Sequence, residues 1–166
     1  DRHFLPDAIQ MTLPSHLKTV SYHGFVHGPK LLVLGAVHGN EVCGTLAIER
    51  ICKEIDAGEL SICRGTVTFV PITNPLAYIR QQRAGDRNLN RNLRTTGVPQ
   101  DFEDKLANAL CPLLASHDVL LDLHSFHTGG EPFAMLGPAN NQGDLEPFDK
   151  AVDEEALARR LGPRRI

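Results

Sequence analysis

No apolar run in the sequence approaches the roughly 20 residues that cross a bilayer, so no membrane partner is expected. Charge of one sign is missing too: 17 Lys and Arg stand against 20 Asp and Glu, for a formal net charge of −3. Mixed charge of this kind removes the broad electrostatic case for nucleic acid. Cysteine is sparse and scattered. Cys43, Cys52, Cys63 and Cys111 contain no CxxC spacing, which argues against a zinc ribbon. Reduced thiols in a cytoplasmic protein are a simpler expectation than a disulfide framework in a chain of this size. Internal repeats and low-complexity segments are absent as well. The chain opens on Asp1 rather than Met, so the lack of a leader carries little weight.

What is present is enough apolar material for one ordinary domain: 42% of 166 residues. "TVSYHGFVHG" (19–28) is rich in β-formers and predicts a strand. "KLLVLGAV" (30–37) is a continuous apolar run that fits a strand buried on both faces. From Glu41 to Asp56, Val42, Leu46, Ile51 and Ile55 recur near helical spacing opposite Glu49, Arg50, Lys53 and Glu54. That pattern predicts an amphipathic helix closed by Gly58. "TVTFVPI" (66–72) predicts another strand, ended by Pro71 and by "NP" at 74–75. Residues 81–100, rich in Arg, Asn and Gly, predict a long loop, and such loops are often functional. A helix is expected over 102–115, with Pro112 in its last turn. "DVLLDLHS" (118–125) predicts a third buried strand, "EPFAMLG" (131–137) a fourth, and 144–161 a helix stopped by Gly162-Pro163. Alternating strands and helices indicate an α/β class with a mixed, largely parallel sheet flanked by helices. Ligands in such sheets gather beyond the carboxyl ends of the strands. His38 follows one such strand and His124 ends another.

Catalytic zinc takes three protein ligands and leaves a position for water. His38 and Glu41 sit three apart at a strand-to-helix junction, and Gly35 and Gly39 are expected to allow unusual backbone angles there. His124 would arrive from a separate strand. Along that strand Asp122 and His124 share one face and Leu121 and Leu123 the other, so Asp122 suits an acceptor that orients the imidazole. Other readings stay open. Glu41 near a helix N-terminus is favoured by the helix dipole alone, His38 suits a polar loop, and Asp122 could pair with an arginine. His3, His16, His23, His27, His117 and His127 read as surface or structural, with His127 alone near His124 in sequence. "RAGDRNLNR" places Arg83, Arg87 and Arg91 with Asn88 and Asn90 in one loop. It suits an anion clamp, since guanidinium fits a carboxylate bidentately. It also suits a solvated loop whose arginines pair with Asp86 and other acids.

Together, "GAVHGNE" (35–41), "NPLAYIRQQRAGDRNLNRNL" (74–93) and "DLHS" (122–125) resemble the succinylglutamate desuccinylase/aspartoacylase family, within the wider zinc carboxypeptidase-like superfamily. The resemblance spans most of the chain from about residue 30 to 137. It implies that His38, Glu41 and His124 bind one Zn2+ per chain. It implies that Arg83 stabilises an oxyanion and that Asn90 and Arg91 hold a substrate carboxylate. Arg87 receives no role. In the family the general base is a glutamate well downstream of the last histidine ligand, and nothing here matches it; Glu131, Glu154 and Glu155 are not supported. Members of the family are longer. The expectation is therefore a single catalytic-type domain over 1–166, incomplete at its C-terminal end and weakly active or inactive alone. An uncovered sheet edge would then favour homo-oligomers.

The activity so implied is zinc-dependent hydrolysis of the amide bond of a small N-acyl amino acid, or of a similar small-molecule carboxylate. A carboxypeptidase acting on peptide C-termini uses the same clamp, and an ester is open to the same chemistry. A zinc-binding module without catalysis is disfavoured because closed structural sites take four protein ligands, often cysteine. An α/β binding domain without metal is the remaining alternative.

Overall fold

Two apolar runs, LLVL and TVTFV, supply the middle of a sheet because aliphatic and β-branched residues pack well on a surface covered from both sides. The computed structural model of the chain describes residues 13–137 and 150–166. Within it β1 (Val20–His23), β2 (Lys30–Leu34), β3 (Thr66–Val70) and β4 (Val119–Asp122) form one sheet in the order β1-β3-β2-β4. β2 runs parallel to both β3 and β4, and β1 runs antiparallel to β3. The sheet is mixed and flanked by helices, as the sequence predicts.

Alternation along the strands assigns the two faces. Leu32, Leu34 and Val70 pack with Leu106 and Leu110 of α3 (Phe102–Ala115) and with Leu89. Val33, Val67 and Phe69 pack with Ile48 of α1 (Cys43–Asp56), joined by Cys52, Ile55, Leu121 and Leu123. Asp101 caps α3 by accepting from the Asp104 N–H at 2.7 Å, and the helix runs through Pro112 to Ala115. Gly58, at φ +75°, ends α1 in the left-handed conformation that glycine tolerates.

Three expectations change. The core face of α1 is Gly44, Thr45 and Ile48 with Cys52 and Ile55, whereas Val42, Ile51 and Leu46, the last at 60% exposure, face outward. Two apolar stripes compete on this helix, and the one beginning with small Gly44 and Thr45 wins because it lets the helix approach the sheet closely. β4 is an edge strand rather than a buried one: among the described residues it pairs with β2 alone, and Leu120 is exposed. "EPFAMLG" forms no strand, only an isolated bridge between Phe133 and Arg165. "NP" at 74–75 follows the end of β3, and Pro75 opens a short helix, α2 (Pro75–Ile79).

The chain divides into two compact units, Asp1–Ser125 and Phe126–Ile166. The second contains α4 (Ala151–Leu161), closed by Gly162 at φ +77°. Residues 144–149 of the expected last helix, and His3, lie outside the described residues. No described helix is long and apolar enough to cross a membrane.

Candidate metal centre

The register of the sheet brings two distant segments together. Leu34 pairs with Asp122, and the Leu123 N–H donates to the Leu34 carbonyl at 2.9 Å. Residues 35–38 and 122–125 therefore leave adjacent strand ends. Close approach completes the junction. A Cβ on Gly35 would lie 2.9 Å from the Thr45 nitrogen, and one on Gly44 would lie 2.8 Å from Cβ of Leu123. A Cβ on Gly39 would collide with the Ala77 backbone. These glycines serve by lacking a side chain, not by unusual angles as expected; the left-handed residue is Ala36, at φ 46°. A non-glycine residue held there stores strain, which is common beside functional groups.

A turn, with the Glu41 N–H donating to the His38 carbonyl at 3.0 Å, puts both side chains on one side. Helix α1 begins only at Cys43, so Glu41 precedes the first turn and dipole stabilisation does not account for it. His38 and Glu41 are buried, while His124 faces solvent. Their ligand atoms all lie within 4.8 Å of one another.

Hydrogen bonds define which ring nitrogens face inward. Asn88 Oδ1 accepts from the Asn90 N–H at 3.0 Å and lies 3.1 Å from His38 Nε2. A carbonyl oxygen can only accept, so Nε2 carries the hydrogen. Nδ1 of His38 then presents a lone pair. It is buried, makes no hydrogen bond among the described residues, and stands 2.9 Å from Oε1 of Glu41. A nitrogen and a carboxylate oxygen this close are held together by either a proton or a metal ion between them. His124 is built alike: Nε2 donates to Asp122 Oδ2 at 2.8 Å, and Nδ1 faces Glu41 Oε2 at 2.9 Å. Two imidazole nitrogens and one carboxylate, with no thiolate, form a donor set that fits a divalent transition metal with open positions.

Electrostatics agree with a site poised for positive charge. Burial pushes the Glu41 carboxyl up, but the Ser125 N–H, the His124 hydrogen bond and the nearby imidazoles outweigh it and hold the group below its ordinary value. His124 is raised, chiefly by its hydrogen bond to Asp122, against burial. Without a metal, a second proton on His124 serves both carboxylates.

Arg83 also reaches the centre, donating from Nη1 to Glu41 Oε1 at 2.8 Å with its side chain more than half exposed. Asn90 and Arg91 lie on the same loop but are exposed, and the Arg91 guanidinium donates to the Asn90 carbonyl. The structure thus gathers His38, Glu41, His124, Asp122 and Arg83, while the Asn90 and Arg91 side chains stay exposed on the loop. Arg87 follows the bland alternative: it pairs with Asp101 and Asp104 at 2.8 Å each and donates to the Arg91 carbonyl. Glu131 pairs with Arg164 within the second unit. Sequence reasoning missed the part played by Asn88. Its signal was Leu89, an apolar residue in a polar loop, which is buried in the core and pins Asn88 in place.

Comparison with known proteins places these features in a group. The family described as the Succinylglutamate desuccinylase/Aspartoacylase catalytic domain matches residues 27–140. A probable aspartoacylase of Prochlorococcus marinus is 33% identical over 101 residues, 58% of this chain and 33% of that protein. The N-alpha-acetyl-L-2,4-diaminobutyric acid deacetylase of Halomonas elongata is 31% identical over 104 residues, 59% of this chain and 29% of that protein. The crystal structure of an aspartoacylase family protein from Mesorhizobium loti superposes with a TM-score of 0.74 at 26% identity, covering 89% of this chain and 45% of that one. The chain spans about a third of the length of the curated relatives it matches.

Proposed function

The chain belongs to the succinylglutamate desuccinylase/aspartoacylase catalytic family, and from that premise we propose that it is the metal-binding part of a zinc-dependent hydrolase. The substrate class is a small N-acyl amino acid, or a similar carboxylate, cleaved at its amide bond. One observation carries the proposal: the buried Nδ1 of His38, which makes no hydrogen bond among the described residues, converges with Glu41 and Nδ1 of His124. The relatives' names, an aspartoacylase and a deacetylase, support amide cleavage over other metal chemistry.

Zinc held by His38, Glu41 and His124 would lower the pKa of a water from about 15.7 to about 7 and polarise the acyl carbonyl. The chain's own residues set the stage for that. Asn88 and Asp122 fix the two ring tautomers so that both Nδ1 atoms point inward. Arg83 contributes one donor to Glu41 and keeps others for an oxyanion developing beside it. Asn90 and Arg91, exposed on the same loop, hold the substrate carboxylate. We assign the general base to none of the described carboxylates: Glu41 is held by His124 and the Ser125 N–H, Asp122 by His124 and Glu131 by Arg164.

The test begins with metal content. The chain purified without chelator should carry one zinc, and His38→Ala and His124→Ala should each lose it. The same donors suit iron(II), so elemental analysis decides the metal. In a protein that turns over N-acyl amino acids, hydrolysis should stop with chelator and return with zinc. Arg91→Ala should weaken carboxylate substrates at least tenfold more than neutral analogues. Zinc retained by both histidine variants would refute the ligand set, and equal losses on both substrate types would refute the clamp.

A further inference from the structure

We propose that Glu103 is a positioning residue for the metal centre: it ties the loop carrying Asn88 to the segment carrying His38, and so sets the His38 ring. The proposal rests on the metal-binding reading above and extends it to a residue that touches neither metal nor substrate. Glu103 is wholly buried in α3, on none of the motifs that point to the site. A buried carboxylate is costly unless its lone pairs are satisfied. Here four donors meet it. Asn74 Nδ2 donates to Oε1 at 2.9 Å and the Gly85 N–H at 3.1 Å; the N–H groups of Asp86 and Arg87 donate to Oε2 at 3.1 and 3.2 Å.

The donors come from two separate stretches. Asn74 caps α2 by accepting from the Ala77 N–H, and its own N–H donates to the Ala36 carbonyl, two residues before His38. Gly85, Asp86 and Arg87 lead directly into Asn88, whose Oδ1 meets His38 Nε2. His38 is therefore reached from both sides, and Glu103 closes the ring of contacts. Should the loop shift, Asn88 Oδ1 would leave Nε2, and nothing in that ring would hold the tautomer that aims Nδ1 at Glu41. Glu103→Gln keeps the shape but turns an NH2 toward N–H donors. Whichever way the amide faces, it opposes either Asn74 with Gly85 or Asp86 with Arg87.

Zinc affinity of the full chain, measured by competition with a chromophoric chelator, tests this without any turnover. Glu103→Gln should weaken zinc about tenfold, within the range for partners behind the ligands, and Asn88→Ala by a similar factor. The double variant should bind zinc no more weakly than Asn88→Ala alone, because both act through one contact. Ile48→Val, a core change beneath α1 on the opposite sheet face, should lower the thermal midpoint and leave zinc affinity unchanged. Should Glu103→Gln not fold, Gly85→Ala probes the same joint, since its Cβ would press on Oε1 of Glu103; it should weaken zinc likewise. Unchanged zinc affinity in Glu103→Gln and Gly85→Ala, or an undiminished further loss in the Asn88→Ala background, overturns the proposal while the metal site stands. No zinc bound by the unsubstituted chain overturns the metal site and this proposal with it.

Discussion

Glu41 and Glu103 are both buried in the first unit, and both are ringed by polar partners, yet their surroundings are of opposite kinds. Around Glu41 stand His38, His124 and Arg83, with the Ser125 N–H as the one backbone donor among the described residues. Around Glu103 stand three backbone N–H groups and one carboxamide. Backbone donors cannot titrate or leave, so Glu103 is a fixed joint. Imidazoles can exchange a proton for a metal, and the Nδ1 of one of those around Glu41 makes no hydrogen bond among the described residues. Burial of a carboxylate therefore says little about its role; the exchangeability of its partners says much.

The largest effect should come from Glu41→Gln. Losing a ligand should weaken zinc by more than the roughly 100-fold upper range for partners behind the ligands, as measured by chelator competition. A smaller loss would erase the contrast between the two glutamates. Next is Gly44→Ala. Alanine gains up to about 1 kcal/mol of helix propensity, but overpacking against Leu123 should cost about 1–3 kcal/mol. The urea midpoint should fall, and zinc should weaken because α1 and the segment bearing His124 are pushed apart. Loss of stability with unaltered zinc affinity would uncouple the junction from the site.

The pH dependence of the metal-free protein is subtler. His124 is raised in the fold, so its contribution is complete below its ordinary value of about 6.5 and is lost as pH rises through the raised one. Glu41 is lowered, so its contribution is present above about 4.3 and is lost as pH falls through the lowered value. Urea midpoints of metal-free protein should thus form a plateau between these limits. Asp122→Asn removes the main cause of the His124 shift and should move the upper edge to lower pH. An edge that stays in place would mean that Asp122 does not govern His124. The smallest effect belongs to the joint side. Asp104 is held below its ordinary value by the Gln100 N–H and then by Arg87, so its share is lost only in acid. Arg87→Ala should make the protein unfold at slightly higher pH in an acid titration, with zinc affinity at neutral pH changed less than in Glu103→Gln.

Much of the site was legible because its parts are local. The three-residue spacing of His38 and Glu41 and the alternation of Asp122 with His124 are consequences of turn and strand geometry. Helix α3 was legible end to end, since its cap and apolar spacing lie within its own residues. The buried face of α1 was not, because Val42 and Leu46 mimic a core stripe and only the sheet beneath decides which stripe is covered. The loop of 81–100 left two readings open, a clamp and arginines paired with acids, and only the fold divides them: Arg83 meets Glu41, whereas Arg87 braces the loop against α3.

The order of strands and helices, the mixed sheet and the identity of the candidate ligands follow from patterns of a few adjacent residues, which the chain sets before it folds. The convergence of those ligands follows from the pairing of β2 with β4 and from the close approaches of Gly35, Gly39 and Gly44. The place of Glu103 does too, since its four donors come from two segments that meet only after α3 packs on the sheet. Such contacts join residues far apart in sequence, and short-range geometry contains no term for them.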